Sequence, residues 1–209
     1  GVSLLMLLPV FNIIRSFPPE YMHYVLLEVV KLFLSNWIDP KNCKKPWYLG
    51  TKLQIFDNRL SEILPPKLQI LDNRLSEILP PCEITRTPQS VSNISQWKAS
   101  EFKHFLIYYS MPCLKDLLPL TFYKHWSLLV LPFEKAKRAI NKFVKNIEVL
   151  YGMELMKFNV HLLLHIPNSV KDFGALWAWS AFPYESYNSV LRNMLHSSQI
   201  ILQQICKSY

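Results

Sequence analysis

Apolar residues between positions 19 and 37, namely Met22, Val25, Leu26, Val29, Val30, Phe33 and Trp37, recur at three- and four-residue spacing. That spacing predicts one buried face of a helix, with Pro18 and Pro19 in its first turn. Just upstream, Phe11-Asn12-Ile13-Ile14 is short, apolar and partly β-branched, which predicts a buried strand feeding the helix through the Pro-Pro turn. Helical spacing returns over residues 97–109, 117–131 and 133–151, the last with Phe133, Ala136, Ile140, Phe143, Ile147 and Leu150 inward and Gly152 at its end. Residues 158–165 predict another helix, and Pro167 and Gly174 bracket a short helical turn. The aromatic-rich stretch 176–182 reads as extended. A last helix, 184–196, has Tyr187, Val190, Leu191 and Met194 as its core face.

Residues 52–66, KLQIFDNRLSEILPP, are followed directly by 67–81, KLQILDNRLSEILPP, differing only where Phe56 becomes Leu71. Two copies are too few for a solenoid and nothing else in the chain shares the period, so an accidental tandem duplication is the better reading. Each copy is a short amphipathic helix stopped by a proline pair. The second copy is expected to hang outside the core. Residues 82–94, rich in Ser, Thr and Pro, read as an exposed linker.

Composition then narrows the class. The chain has 209 residues, half of them apolar, enough for a sizeable core, so disorder is not expected. The opening at Gly1 runs into Val2-Ser3-Leu4 with no basic leader, which reads as the middle of a longer frame; its apolar run is too short to span a bilayer and is broken by Pro9. The expectation is a soluble intracellular protein with no membrane partner and no small-molecule substrate. Cys43, Cys82, Cys113 and Cys206 stand far apart, which favours reduced thiols and defines no metal site by itself. A net charge of +8 favours polyanions, nucleic acid first.

Candidate chemistry falls at four places. Glu20 and His23 share a face at a helix start, where a carboxylate is favoured by the macrodipole and helix capping is the ordinary role. Glu185, Asn188, Arg192 and His196 form a polar stripe on the last helix: solvated surface, or a carboxylate projecting toward a metal with an amide in support. His161 and His165, four apart, suit one zinc ion or a packed pair beside Leu162, Leu163 and Leu164; without the Glu of H-E-x-x-H a metalloprotease is not indicated. Lys135, Arg138, Lys142 and Lys145 share a helix face that is either solvated or tracks a phosphate backbone.

Three long segments, PPEYMHYVLLEVVK (18–31), WKASEFKHFLIYYSMPCLKDLLP (97–119) and FNVHLLLHIPNSVKDFGALWAWSAFPYESYNSVL (158–191), together resemble the catalytic region of CACTA-type (En/Spm-like) transposases of animal transposable elements. The resemblance implies an RNase H-like nuclease whose Asp, Asp and Glu hold two Mg²⁺ ions for DNA strand cleavage and transfer in the nucleus. The second acid then falls on Glu20 with His23 as its histidine, and the final glutamate on Glu185 followed by Asn188. It also implies a zinc ion held by a Cys-x-x-Cys pair and two histidines. His161 and His165 match the histidine half, whereas Cys43 stands alone.

Other departures accompany these matches. The first aspartate would precede Gly1, and Glu20 replaces an aspartate, pushing the carboxylate outward by about 1.5 Å. Glu28 occupies a position usually small, and around Leu131-Pro132-Phe133 a helix of the relatives is skipped. The expected fold is predominantly α: residues 1–38 a strand and helix with the second acidic position, 39–157 a helical insertion with the duplication, 158–209 the segment of the final acid. Of the RNase H-like α/β domain only a remnant is expected, with at most one or two short strands near Phe11 and Ala175. The expected function is a catalytically inactive transposase fragment, with a domesticated DNA-binding module as the alternative and an active nuclease completed by another chain behind both.

Overall fold

The computed structural model describes residues 16–50, 67–84, 86–130 and 136–193. Among them the chain is predominantly helical and contains no strand. A π-helix, Tyr21–Val30, runs without interruption into helix α1, Lys31–Ile38. All seven apolar positions expected on its inner face are buried. Phe33 is the hub of that face, with ring centroids 5.1 Å from Tyr151, 5.3 Å from Phe143 and 5.8 Å from Trp126. Edge-on and tilted contacts at such distances add to the area each ring buries.

Around this rod stand α2 (Lys67–Ser76), α3 (Ala99–His104), the π-turn Phe105–Tyr109 continuing into α4 (Ser110–Leu114), α5 (Leu120–Val130) and α6 (Ala136–Tyr151). Helices α5 and α6 lie side by side and send Phe122, Trp126, Phe143 and Ile147 into the common core. The buried stripe of α6 is Ala139, Phe143, Val144, Ile147 and Tyr151, with Ala136, Ile140 and Leu150 half-buried at its borders. Gly152 ends the helix at φ 93°, a backbone angle that suits glycine. Then α7 (Phe158–Leu162), a tight turn at Leu163–His165, α8 (Ile166–Phe173) and α9 (Phe182–Asn193) complete the described chain. None of the described helices is long and apolar enough to cross a membrane.

Four expectations change. The second repeat copy does not hang outside the core: it is α2, with Leu71 and Leu75 fully buried. Its polar residues explain the docking, since Lys67 Nζ donates to the Leu117 carbonyl (2.8 Å) and Arg74 Nη1 to those of Cys113 (2.8 Å) and Lys115 (2.6 Å). The first copy lies outside the described residues. The linker expected over 82–94 is not exposed throughout; Val91 and Ile94 are buried, because Asp72 accepts from the Val91 N–H (2.7 Å) and the Ser90 hydroxyl (2.6 Å) and pins the turn to α2.

The extended stretch near Ala175 is instead a 3-10 turn, Leu176–Trp179. It satisfies itself locally, the Ala178 N–H donating to Ala175 O (2.9 Å) and the Trp179 indole to Gly174 O (3.2 Å). The strand expected at Phe11 lies outside the described residues. Of the core face expected for the last helix, Tyr187 and Val190 are about half exposed and Leu191 is only partly buried, none of the described residues of α9 being fully buried, while Met194 and the stripe residue His196 lie outside the described residues. The N-terminal end of α9 meets the body through Ala181, Phe182 and Glu185.

Candidate functional site

Glu20 is the N-cap of the long helix, not a residue within it. Its Oε1 accepts from the Met22 N–H (2.9 Å), and its Oε2 from the His23 N–H (2.8 Å) and from His23 Nδ1 (2.7 Å). Oε1 also accepts from the N–H of Ala181 (2.7 Å), the residue that leads into α9. A single carboxylate therefore closes two helix starts. Burial alone would push the Glu20 carboxyl pKa up; the backbone N–H groups of Ala181, His23 and Met22 and the His23 ring outweigh it and hold the group below its ordinary value.

The other nitrogen of His23, Nε2, lies 3.5 Å from Glu185 Oε1 in the first turn of α9. Glu20 and Glu185, 165 positions apart, are thus brought to opposite edges of one imidazole. The ring is hydrogen-bonded to Glu20 and stands at ion-pair distance from Glu185. Lys103 adds a cation–π contact to Phe182, 5.5 Å from its centroid. Asn188 is exposed one turn beyond Glu185.

This geometry does not fit a divalent ion shared by the two acids. The Glu20 oxygens already receive four N–H donors, and the His23 ring occupies the space between the carboxylates. To ligate a cation Glu20 would have to give up its caps.

His161 and His165 do meet, Nε2 to Nε2 at 3.4 Å, close enough to share one proton and close to the spacing of two ligands on a tetrahedral zinc. They supply only two ligands; no group of three His, Cys, Asp or Glu side chains suited to a metal occurs among the described residues. His165 also lines a cleft with Pro19 and Phe17, so the pair sits beside the start of the Glu20 helix. Of the cysteines, Cys113 is buried and its thiol is pushed up to about 11 by that burial, against a smaller lowering from Arg74, whereas Cys43 and Cys82 are exposed.

Arg138, Lys142 and Lys145 are exposed along one face of α6 as expected; Lys135 lies outside the described residues. Lys124 of α5 is exposed beside them and lines the same groove as Lys142, which the sequence stripe alone did not show. Glu28 accepts from the Asn159 amide (3.1 Å), tying the long helix to α7, so the acid at a position expected to be small has a structural partner. No single-helix pattern reveals either link, because each joins residues of separate elements. No protein-family model matches the chain, and no curated protein or solved structure matches it significantly.

Proposed function

We propose that this chain is a transposase-derived fragment that no longer cleaves DNA, its two acidic positions serving to dock helix α9. The resemblance of its three long segments to the CACTA-type catalytic region motivates the parentage and, with it, a place beside DNA in the nucleus. One observation carries the loss of catalysis: the Glu20 carboxylate is filled by four N–H donors, one of them the backbone of Ala181. A nuclease acid must leave lone pairs free for Mg²⁺. Incubating supercoiled plasmid with the protein and Mg²⁺ or Mn²⁺ tests this. Nicking no greater than that of Glu185→Ala is expected, and wild-type nicking abolished by Glu185→Ala would overturn the proposal.

A second reading, DNA binding without cleavage, is favoured by the exposed row Arg138, Lys142 and Lys145. Each phosphate neutralised there releases counterions, so affinity falls steeply with salt. Alanine at Arg138 and Lys145 is expected to flatten that dependence; an unchanged salt slope would count against this reading.

A further inference from the structure

We propose that the slot holding α2 is a docking site for either copy of the repeat, so that the chain has a second register in which residues 52–66 supply the docked helix and residues 67–81 are left out. The slot itself is built from described residues. Leu71 and Leu75 fill its floor with 0% and 1% of their surface exposed. Its polar anchors all lie outside the repeat: the Leu117 carbonyl receives Lys67, the Cys113 and Lys115 carbonyls receive Arg74, and the Val91 N–H and Ser90 hydroxyl donate to Asp72. In the first copy Lys52, Asp57, Arg59 and Leu60 stand where Lys67, Asp72, Arg74 and Leu75 stand in the second, and the copies differ only at Phe56 and Leu71.

The entry to the slot fits the first copy as well as the second. Leu49 is fixed to the long helix, its N–H donating to the Trp37 carbonyl at 2.7 Å, and its own carbonyl accepts from the N–H of Leu68 at 2.8 Å. Leu68 is 19 positions further along the chain; its counterpart in the first copy is Leu53, only four positions after Leu49. Four is the spacing of the α-helical N–H to C=O bond. The bond that ties the second copy to the slot across a long excursion is therefore, for the first copy, an ordinary bond of a helix's first turn.

When the first copy enters, the extra 15 residues move to the other side of the slot, between Pro66 and Cys82. Loop-closure cost rises slowly with length, and the same number of residues is left out in either register, so chain length does not choose between them. The buried position does. Leu71 fits with no exposed surface, whereas Phe56 brings a larger side chain to the same packed place. The first-copy register is therefore expected to be about 5- to 150-fold less populated.

Trading the two side chains in the full chain, Phe56→Leu with Leu71→Phe, tests this by urea denaturation. The leucine then belongs to the first copy, and the traded chain is expected to unfold near the wild-type midpoint. In wild type, Asp72→Ala is expected to lower the folding equilibrium constant about tenfold through lost bonds to a charged acceptor, and Asp57→Ala to leave it unchanged; in the traded chain the two effects change places. Sensitivity that stays with Asp72 in the traded chain overturns the proposal, whatever the midpoint, because the slot then admits the second copy alone. Phe56→Leu by itself makes the copies identical. Its amide NMR spectrum is expected to show a second set of signals from Gly50 and Ser90, on either side of the repeats, with a ratio to the first set raised about 5- to 150-fold over wild type. A single set from that variant overturns the proposal as well.

Discussion

Glu20 shows how a single side-chain length changes a role. Ser, Thr, Asp and Asn are the usual N-caps because their short side chains fold back on the first turn. Glu20 caps Met22 and His23 and has reach left for the Ala181 N–H. An aspartate, shorter by one methylene, keeps the first two bonds and falls short of the third by about 1.5 Å. Glu20→Asp is therefore expected to hold most of the thermal stability while loosening α9, whereas Glu20→Ala costs about 1 kcal/mol through the lost cap. The pH dependence has a definite sign. Because the folded-state pKa is depressed, the carboxylate's contribution is present in full above the ordinary value of 4.5 and is lost as pH falls through the folded value. Thermal melts of wild type and Glu20→Gln across acid pH check it: their difference should be constant near neutrality and shrink below 4.5, and a difference independent of pH would show that the ionised form contributes nothing. The sequence revealed an acid and a histidine at a helix start. It could not reveal the Ala181 N–H, which is a backbone group and carries no residue signature.

At the scale of elements, the duplication offers a comparison built into the chain. Removing residues 52–66 or residues 67–81 yields the same sequence except for one position, which is Leu71 in the first product and Phe56 in the second. The α2 slot is occupied by Leu71 with no exposed surface. The lysine, aspartate and arginine that anchor α2 through Lys67, Asp72 and Arg74 recur as Lys52, Asp57 and Arg59, so either copy brings the same polar bonds. Both deletion products are expected to fold. The one retaining Phe56 should be the less stable by about 1–3 kcal/mol, the cost of forcing a larger side chain into a packed position. Urea denaturation of the two products measures the difference; equal midpoints would mean the slot is not shaped around leucine. The amphipathic pattern of each copy was plain from the sequence. That the second copy enters the core was not, since the two are indistinguishable at every polar anchor.

For the molecule as a whole, periodicity identified the helices that bury a face against several neighbours and misjudged the one that does not. The long helix through Phe33 and the α6 stripe through Phe143 were legible because each apolar position meets a partner in the common core. Tyr187 and Val190 repeat at the same spacing in α9 yet stay exposed, because spacing reports where apolar residues stand and not whether another surface reaches them. The candidate site was half legible: Glu20, His23 and Glu185 were all named from the sequence, and the resemblance put both acids in one site, while the placing of the His23 ring between the two carboxylates follows only from the fold. This construction implies an uneven distribution of stability. With no fully buried residue among those described, α9 meets the body through the partly buried Phe182, the Ala181–Glu20 bond, the Glu185–His23 contact and the Lys103–Phe182 contact, and partly exposed contacts contribute far less than a packed core. Hydrogen exchange should show α9 amides exchanging through local opening, at rates unaffected by variants that weaken the core, while amides of Leu34 and Phe143 wait for global unfolding. Glu20→Ala should accelerate α9 well beyond the general effect of its lost stability. Protection of α9 equal to that of α6 would mean that the helix belongs to the cooperative body instead of opening on its own.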